Sequence, residues 1–353
     1  MVSVEEKLLV NILYREESES LQGVDIINVN FENLMKLASR HLMLPALFFN
    51  INKKNLSYLF PVDFIECIKN IYSINKARNE ILLKEAKELS ELLYKNNINH
   101  IFLKGTALLL SNVFEDIGER MIGDIDFIIQ HKDEEKIKKV LEKNNYCNRF
   151  NVSSFRVFKP THLPRQVHKN KTIALEPHLE LLEPKNRWFF NSKKLINDFK
   201  VETKAIKTPS KQFMFDHCIY ALQIRDKGFI KSYHSHRSIY DIYKLDCKNS
   251  LTVKNINKDI FIKYFFLTID KFKIFDIHIK TTLLSSYFDK LFRLINILLL
   301  KHLIRRVHKF GCKLTRIIQL FYDIKFSEHA LNKISIHYHH KTLSKYIYGW
   351  LKA

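Results

Sequence analysis

Leu103-Lys104-Gly105-Thr106 and, further along, Gly123-Asp124-Ile125-Asp126-Phe127 decide how this chain is read. The first run closes a short apolar strand, His100 to Lys104, which Gly105-Thr106 breaks before a helix predicted to reach about Phe114. The second opens a strand predicted from Asp124 to Ile129. Side chains alternate along a strand, so Asp124 and Asp126 face one side with their Cα atoms roughly 6.5–7 Å apart. Two carboxylates so placed can share divalent cations, and Mg²⁺ is commonly held by one or two carboxylates together with substrate phosphates. Gly105 gives the backbone room to approach a phosphate, and the free N–H groups of the helix that follows favour an anion.

Moving outward, Ile74, Ala77, Ile81, Leu82, Leu89, Leu92 and Leu93 recur at helical steps and predict a long helix over about Ser73–Lys95. A second helix is expected over Asp133–Asn144, and two or three strands between Cys147 and Leu182. The last of these, Thr172–Leu182, puts Glu176, His178 and Glu180 on one side. Pro177 lies inside it and cannot donate to a ladder, so this strand is expected at a sheet edge or with its non-bonded side at the proline. Upstream, Leu34, Leu37, Ala38, His41 and Leu42 mark a helix, followed by Pro45 and another apolar segment. Downstream, helical patterns run over Phe213–Ile224, His236–Asp246, Ile260–Phe275 and a basic stretch from Leu291 to Tyr322. The expected fold class is α+β: a small mixed β-sheet core at residues 73–205, flanked by an amino-terminal helical segment at 1–72 and a carboxy-terminal helical region with a basic tail at 206–353.

Composition narrows the function classes. With 353 residues, 46% hydrophobic and 27% charged, the chain can build more than one core and is not predominantly disordered. The densest apolar run, Leu294–Leu300, contains Asn296 and stops at Lys301, short of the roughly 20 residues a membrane-spanning helix needs. No secretory leader is visible in Met1-Val-Ser-Val-Glu-Glu-Lys, so a cytoplasmic location is expected. Cys67, Cys147, Cys218, Cys247 and Cys312 show no Cys-x-x-Cys spacing and read as reduced, mostly buried thiols. The net charge of +21 is uneven: from Leu251 onward there are 19 Lys/Arg against 6 Asp/Glu. Such a balance suits an anionic partner, although a lysine-rich surface arising from codon bias gives the same count.

A glycine turn, Asp-x-Asp on a strand and a later acidic strand position, in that order, supply what nucleotide transfer requires: backbone near phosphate, a carboxylate pair and Glu176 as a third carboxylate. Leu103-Lys104-Gly105-Thr106-Ala107-Leu108, Arg120, Asp124-Ile125-Asp126-Phe127-Ile128-Ile129 and Glu176-Pro177-His178 together resemble the bacterial uncharacterised nucleotidyltransferase family of the DNA polymerase β-like superfamily. Ala38-Ser-Arg-His41 with Pro45 is similar to that family's amino-terminal helical signature, and His217 with Arg237 and Asp241 to its carboxy-terminal one. The resemblance covers about residues 30–246 and leaves the basic tail unmatched. It departs from the wider superfamily in having Gly105-Thr106 where Gly-Gly or Gly-Ser is usual, a longer gap to Asp124, and Pro177 after the third carboxylate.

The resemblance implies that Asp124, Asp126 and Glu176 are the catalytic and metal-binding carboxylates, holding Mg²⁺ or Mn²⁺. It places Lys104, Gly105, Thr106 and Arg120 at the nucleotide, with the two cations positioning phosphates. His178 shares the strand face of Glu176 and is expected behind the metal site, whereas His162 and His168 read as bystanders. His337-Tyr338-His339-His340 has the composition of a metal-binding tract but lacks neighbouring cysteine or carboxylate ligands. The expected function is transfer of a nucleoside monophosphate from an NTP, ATP among the candidates, to a hydroxyl on a small molecule or sugar, a protein or an RNA. A competing expectation is a core without turnover that binds nucleic acid or a membrane surface through Arg293, Lys301, Arg305, Arg306, Lys309, Lys313 and Arg316.

Overall fold

The computed structural model describes residues 2–19, 21, 23–148, 161–183, 186, 190–196, 198–203, 205–231, 233–246, 256 and 259–275. The basic stretch after Leu291 and the His337–His340 tract lie outside the described residues. The chain divides into two compact units, and residues 1–151, 162–179 and 192–279 make up the first, which contains every element named below. In the second, the Glu180 N–H donates to Thr161 O at 2.9 Å.

The fold is α+β, built on a mixed five-stranded sheet with helices at both ends of the described chain. Its strands are β1 (His100–Phe102), β2 (Asp124–Ile129), β3 (Tyr146–Asn148), β4 (Gln166–His168) and β5 (Ala174–His178), in the spatial order β1-β2-β5-β4-β3. β1 and β2 are antiparallel, whereas β2 and β5 are parallel with Asp126 directly opposite Glu176. Since parallel neighbours need a long crossover, the chain between them carries α-helical structure and the antiparallel pair of β3 and β4. On the inner face Ile125, Phe127, Ile129 and Leu175 are 0–3% exposed. That apolar layer fixes the register, since a one-residue slip would turn the acids inward. A small antiparallel pair, β6 (Phe199–Val201) and β7 (Lys207–Pro209), completes the strands.

The helices are α1 (Val4–Tyr14), α2 (Phe31–Arg40), α3 (Leu44–Lys53), α4 (Val62–Lys95), α5 (Lys104–Leu110), α6 (Glu134–Lys143), α7 (Lys193–Ile196), α8 (Lys211–Tyr220), α9 (Gly228–Lys231), α10 (His236–Leu245) and α11 (Ile260–Ile269). Among the described residues, none is long and apolar enough to cross a membrane. α4 starts well ahead of the expected Ser73, because Phe64 and Ile68 extend its buried stripe by one more i, i+4 step. α5 begins at Lys104, ending β1 at Phe102, and stops short of Phe114 because Asn112 turns left-handed at φ +50 and Val113 N–H closes on Leu108 O. β5 is not an edge strand: it lies between β2 and β4. Pro177 is tolerated there because β4 pairs with β5 only at Leu175, and beyond it the Pro177 carbonyl takes the Leu163 N–H at 2.8 Å. The expectation of mostly buried thiols also fails among the described residues, since Cys67 and Cys147 are exposed and Cys218 is half-buried.

Candidate active site

Three elements bring the acids together. Asp124 and Asp126 project from β2, Glu176 and His178 project from the same face of β5, and Lys104 stands at the start of α5 beneath them. Backbone geometry explains the lysine's reach: Lys104 is left-handed at φ +50, so the chain leaves β1 sharply and its side chain doubles back over the sheet. Gly105 does not have positive φ. It is small because a Cβ there would meet Ile122 Cγ1 at 2.9 Å, so the glycine answers to packing against the approach to β2.

Polar side chains of α4 hold the strand beginnings. Asn75 Nδ2 donates to Gly118 O (2.8 Å) and Arg120 O (3.1 Å), and Asn79 Nδ2 to Ile117 O (2.6 Å) and Arg120 O (2.8 Å). Arg78 Nη2 donates to Gly123 O at 2.9 Å, one residue before β2. Glu85, further along the same helix, accepts the Thr172 and Ile173 N–H groups at 3.0 and 3.2 Å, just before β5. Positions 75, 78, 79 and 85 share a helix face, so one rigid helix fixes both acid-bearing strands at the ends where their carboxylates emerge.

At the centre, Lys104 Nζ lies 2.5 Å from Asp126 Oδ1, 3.3 Å from Glu176 Oε2 and 3.1 Å from His178 Nε2. His178 Nε2 is itself 2.9 Å from Asp126 Oδ1 and 3.3 Å from Glu176 Oε2. One ligand atom each from Asp126, Glu176 and His178 falls within a 4.8 Å group, the arrangement of a three-ligand cation site. Asp124 is not one of that group and is bonded to Arg165 through its Oδ2. The carboxyls differ accordingly. His178 hydrogen bonding and the Lys104 charge hold Glu176 far below the usual carboxylate range despite burial. Burial and the neighbouring Asp126 push Asp124 upward, against the pull of Arg165.

Thr106 and Arg120, expected at the nucleotide, make contacts within the protein. Thr106 is fully buried, its hydroxyl donating to Asp124 O and accepting from the Asp126 N–H, both at 3.3 Å, so it ties α5 to the backbone of the acid strand. Arg120 is buried and bidentate to Asp241 of α10 (Nε to Oδ1 2.7 Å, Nη2 to Oδ2 2.9 Å), with Nη1 on Met121 O. Its neighbour Glu119 takes the Tyr240 hydroxyl at 2.5 Å and Lys244 Nζ at 3.0 Å, both from α10. The loop entering β2 is therefore gripped by α4 through its carbonyls and by α10 through its side chains.

Arg165 carried no signal in the sequence beyond its place after Pro164, and only the pairing of β4 with β5 brings it to Asp124. His162, read as a bystander, bridges to His178 across the sheet, with its ring centroid 5.5 Å away and its Nδ1 3.7 Å from Glu176 Oε1. His168 instead packs on Tyr146 at 4.9 Å. His217 is buried on α8, and burial followed by the Lys104 charge drives its imidazole well below the ordinary histidine range.

A family model described as "Uncharacterised nucleotidyltransferase" matches residues 28–252, a span that includes all the residues of this site. No curated protein and no solved structure matches the chain.

Proposed function

Because the chain belongs to the uncharacterised nucleotidyltransferase family, we propose that the Asp126–Glu176–His178 group is the cation centre of a reaction moving a nucleoside monophosphate from an NTP to an acceptor hydroxyl. The observation that carries this reading is the convergence of two carboxylates and an imidazole on one amine, Lys104 Nζ. A site that already gathers a cation from three sides, with two hard oxygen donors, fits Mg²⁺ or Mn²⁺ completed by phosphate oxygens. Such an ion, held by Asp126 and Glu176 with His178 beside them, would neutralise the triphosphate and lower the barrier to displacement at the α-phosphorus.

The chain's own groups have distinct duties in this proposal. Glu176 stays ionised because His178 and Lys104 hydrogen-bond it, which suits a cation ligand and makes it a poor base. Asp124, raised by burial and by Asp126, is the better proton acceptor. As the acceptor oxygen bonds to the α-phosphorus and the bond to pyrophosphate breaks, the hydroxyl proton passes to Asp124. Lys104 and Arg165 are long, partly exposed cations that balance carboxylates here and are free to turn to phosphate oxygens. Arg120 and Thr106 act as braces in this scheme, and Gly105 lets α5 lie close to Ile122.

The test is a panel of α-labelled NTPs incubated with the protein, Mg²⁺ or Mn²⁺, and fractions of cell extract. Label is expected in one product class, small molecule, protein or RNA, and is expected to vanish in Asp126→Asn. Absence of transfer from every NTP with either ion, or transfer unchanged by Asp126→Asn, overturns the reading.

A further inference from the structure

A second group of metal-ligating side chains, distinct from the sheet cluster, lies within the first unit. His234 Nε2 and His236 Nε2 both point at one oxygen, Glu6 Oε1, at 3.0 and 3.1 Å. The three ligand atoms lie within 4.8 Å of one another. Glu6 stands in the first turn of α1, while the two histidines flank Ser235, the cap of α10, so the cluster joins residues more than two hundred positions apart.

The geometry points to a binding site here for a zinc-class divalent ion, with Glu6, His234 and His236 as its protein ligands. Zn²⁺ prefers imidazole nitrogen with carboxylate oxygen, at about 2.0–2.2 Å in a tetrahedral arrangement, which places neighbouring ligand atoms about 3.3 Å apart. The observed carboxylate-to-imidazole separations of 3.0 and 3.1 Å need to open only by a few tenths of an ångström to admit the ion between them. The donor set differs from that of the sheet cluster: one carboxylate and two imidazoles here, two carboxylates and one imidazole there, so the softer site favours zinc and the harder one Mg²⁺.

The surroundings are built for fixed ligands. The His236 side chain is 0% exposed, and its backbone N–H donates to His41 Nδ1 at 3.3 Å. The His41 ring stands edge-on to it at 4.9 Å, and Phe272 covers the His234 and His236 rings at 5.1 and 5.3 Å. His234 and Glu6 keep 18% and 16% of their side chains exposed, which leaves a path for the ion and room for a fourth, solvent ligand. Bound there, the ion would strap the first helix of the chain to the start of α10, the helix that also holds Arg120 through Asp241.

The test uses the full chain carrying Asp126→Asn and Glu176→Gln, so that the sheet cluster does not contribute, stripped with chelator and titrated with Zn²⁺ against a chromogenic competitor. One equivalent is expected to bind, with a rise in melting temperature, and Co²⁺ in its place should give the visible absorption of four-coordinate cobalt. Adding Glu6→Gln, whose amide oxygen still accepts both imidazole N–H bonds, or His234→Ala at the partly exposed ligand, should each weaken binding about 100-fold or more, since even outer partners of a metal ligand contribute 10–100-fold. Absence of Zn²⁺ binding in the parent, or binding unchanged by both added substitutions, would show a purely hydrogen-bonded cluster and overturn the proposal.

Discussion

The two three-ligand clusters gather their donors in opposite ways. Asp126, Glu176 and His178 sit on two neighbouring parallel strands, so pleat and register alone place them side by side, and a lysine amine already occupies their focus. Glu6, His234 and His236 come from the first helix and from the approach to α10, converge on a carboxylate oxygen and not on an amine, and owe their meeting to tertiary packing. The contrast teaches that a cluster on a sheet is written locally, whereas a cluster between distant helices is written in the whole core. α10 touches both, supplying His236 to one and Asp241, by way of Arg120, to the loop beneath the other.

The largest expected effect strikes the strand cluster at its centre. Asp126→Asn removes the carboxylate that Lys104 and His178 share, and should lower Mg²⁺-dependent NTP turnover by about 10³-fold or more, at least about 4 kcal/mol in the barrier. Pyrophosphate release measured under saturating NTP checks it. A loss of only a few fold would mean that the sheet cluster is structural like its helical counterpart.

Next comes the link between the clusters. Arg120→Met strands Asp241, whose side chain is only 6% exposed, without its bidentate partner. Breaking a buried pair from one side typically costs about 3–5 kcal/mol. Urea unfolding should show a loss of that order, and an Arg120→Met/Asp241→Leu double variant should recover most of it. If instead the single variant keeps its stability but raises the KM for NTP, Arg120 reaches nucleotide and is not a brace.

How much of this was legible follows from the same contrast. β2 was read to the residue, because Asp124 to Ile129 alternates acid and apolar until the sheet is crossed. The alternation puts acids on one face of each of two strands, but the strand order that sets Asp126 opposite Glu176, and the isolated bridge that brings in His162, are not written in it. Arg165, Asn75, Asn79 and Glu85 were invisible as site supports: polar residues on a helix or in a loop look solvent-facing until the backbone they serve is known. Gly105 reads from the sequence as room for backbone to approach a phosphate, whereas in the structure a Cβ there would meet Ile122, and it is Lys104 that carries the positive φ of the turn. The Glu6 cluster had no signature, because nothing in Met1–Glu6 hints at histidines beyond position 230.

A third histidine environment sharpens the comparison, because His100 of β1 is buried and, among the described residues, bonds a hydroxyl and a carbonyl and not a carboxylate. Its ring meets Ser90 Oγ at 2.9 Å and Ile98 O at 3.2 Å, and burial pushes its imidazole down from 6.5 to about 4. The unfolded chain then binds more protons than the folded one between about pH 6.5 and pH 4, so stability contributed near neutrality is lost as pH falls through that window. Integrated over the shift, the loss approaches about 3 kcal/mol. Replacing His100 with Gln should flatten the pH dependence of urea midpoints in that range. An unchanged slope in the variant would place the acid sensitivity elsewhere.

The smallest predicted effect concerns the scaffold common to both strands of the sheet cluster. Asn79 is 0% exposed, and its amide nitrogen serves two carbonyls of the loop that runs into β2, Ile117 O and Arg120 O. Leucine there would fill nearly the same volume and leave both acceptors without their donor, at about 1–3 kcal/mol for buried groups stripped of a hydrogen bond. Because Asn75 still holds Arg120 O from one turn earlier, the cost should fall in the lower half of that range. An Asn75→Leu/Asn79→Leu pair should then exceed the sum of the singles, since only the pair leaves Arg120 O with neither amide. Strict additivity in a double-mutant cycle would mean that the two asparagines hold the loop independently. In that case the loop would be held by separate contacts from α4 and not by a shared grip on Arg120 O.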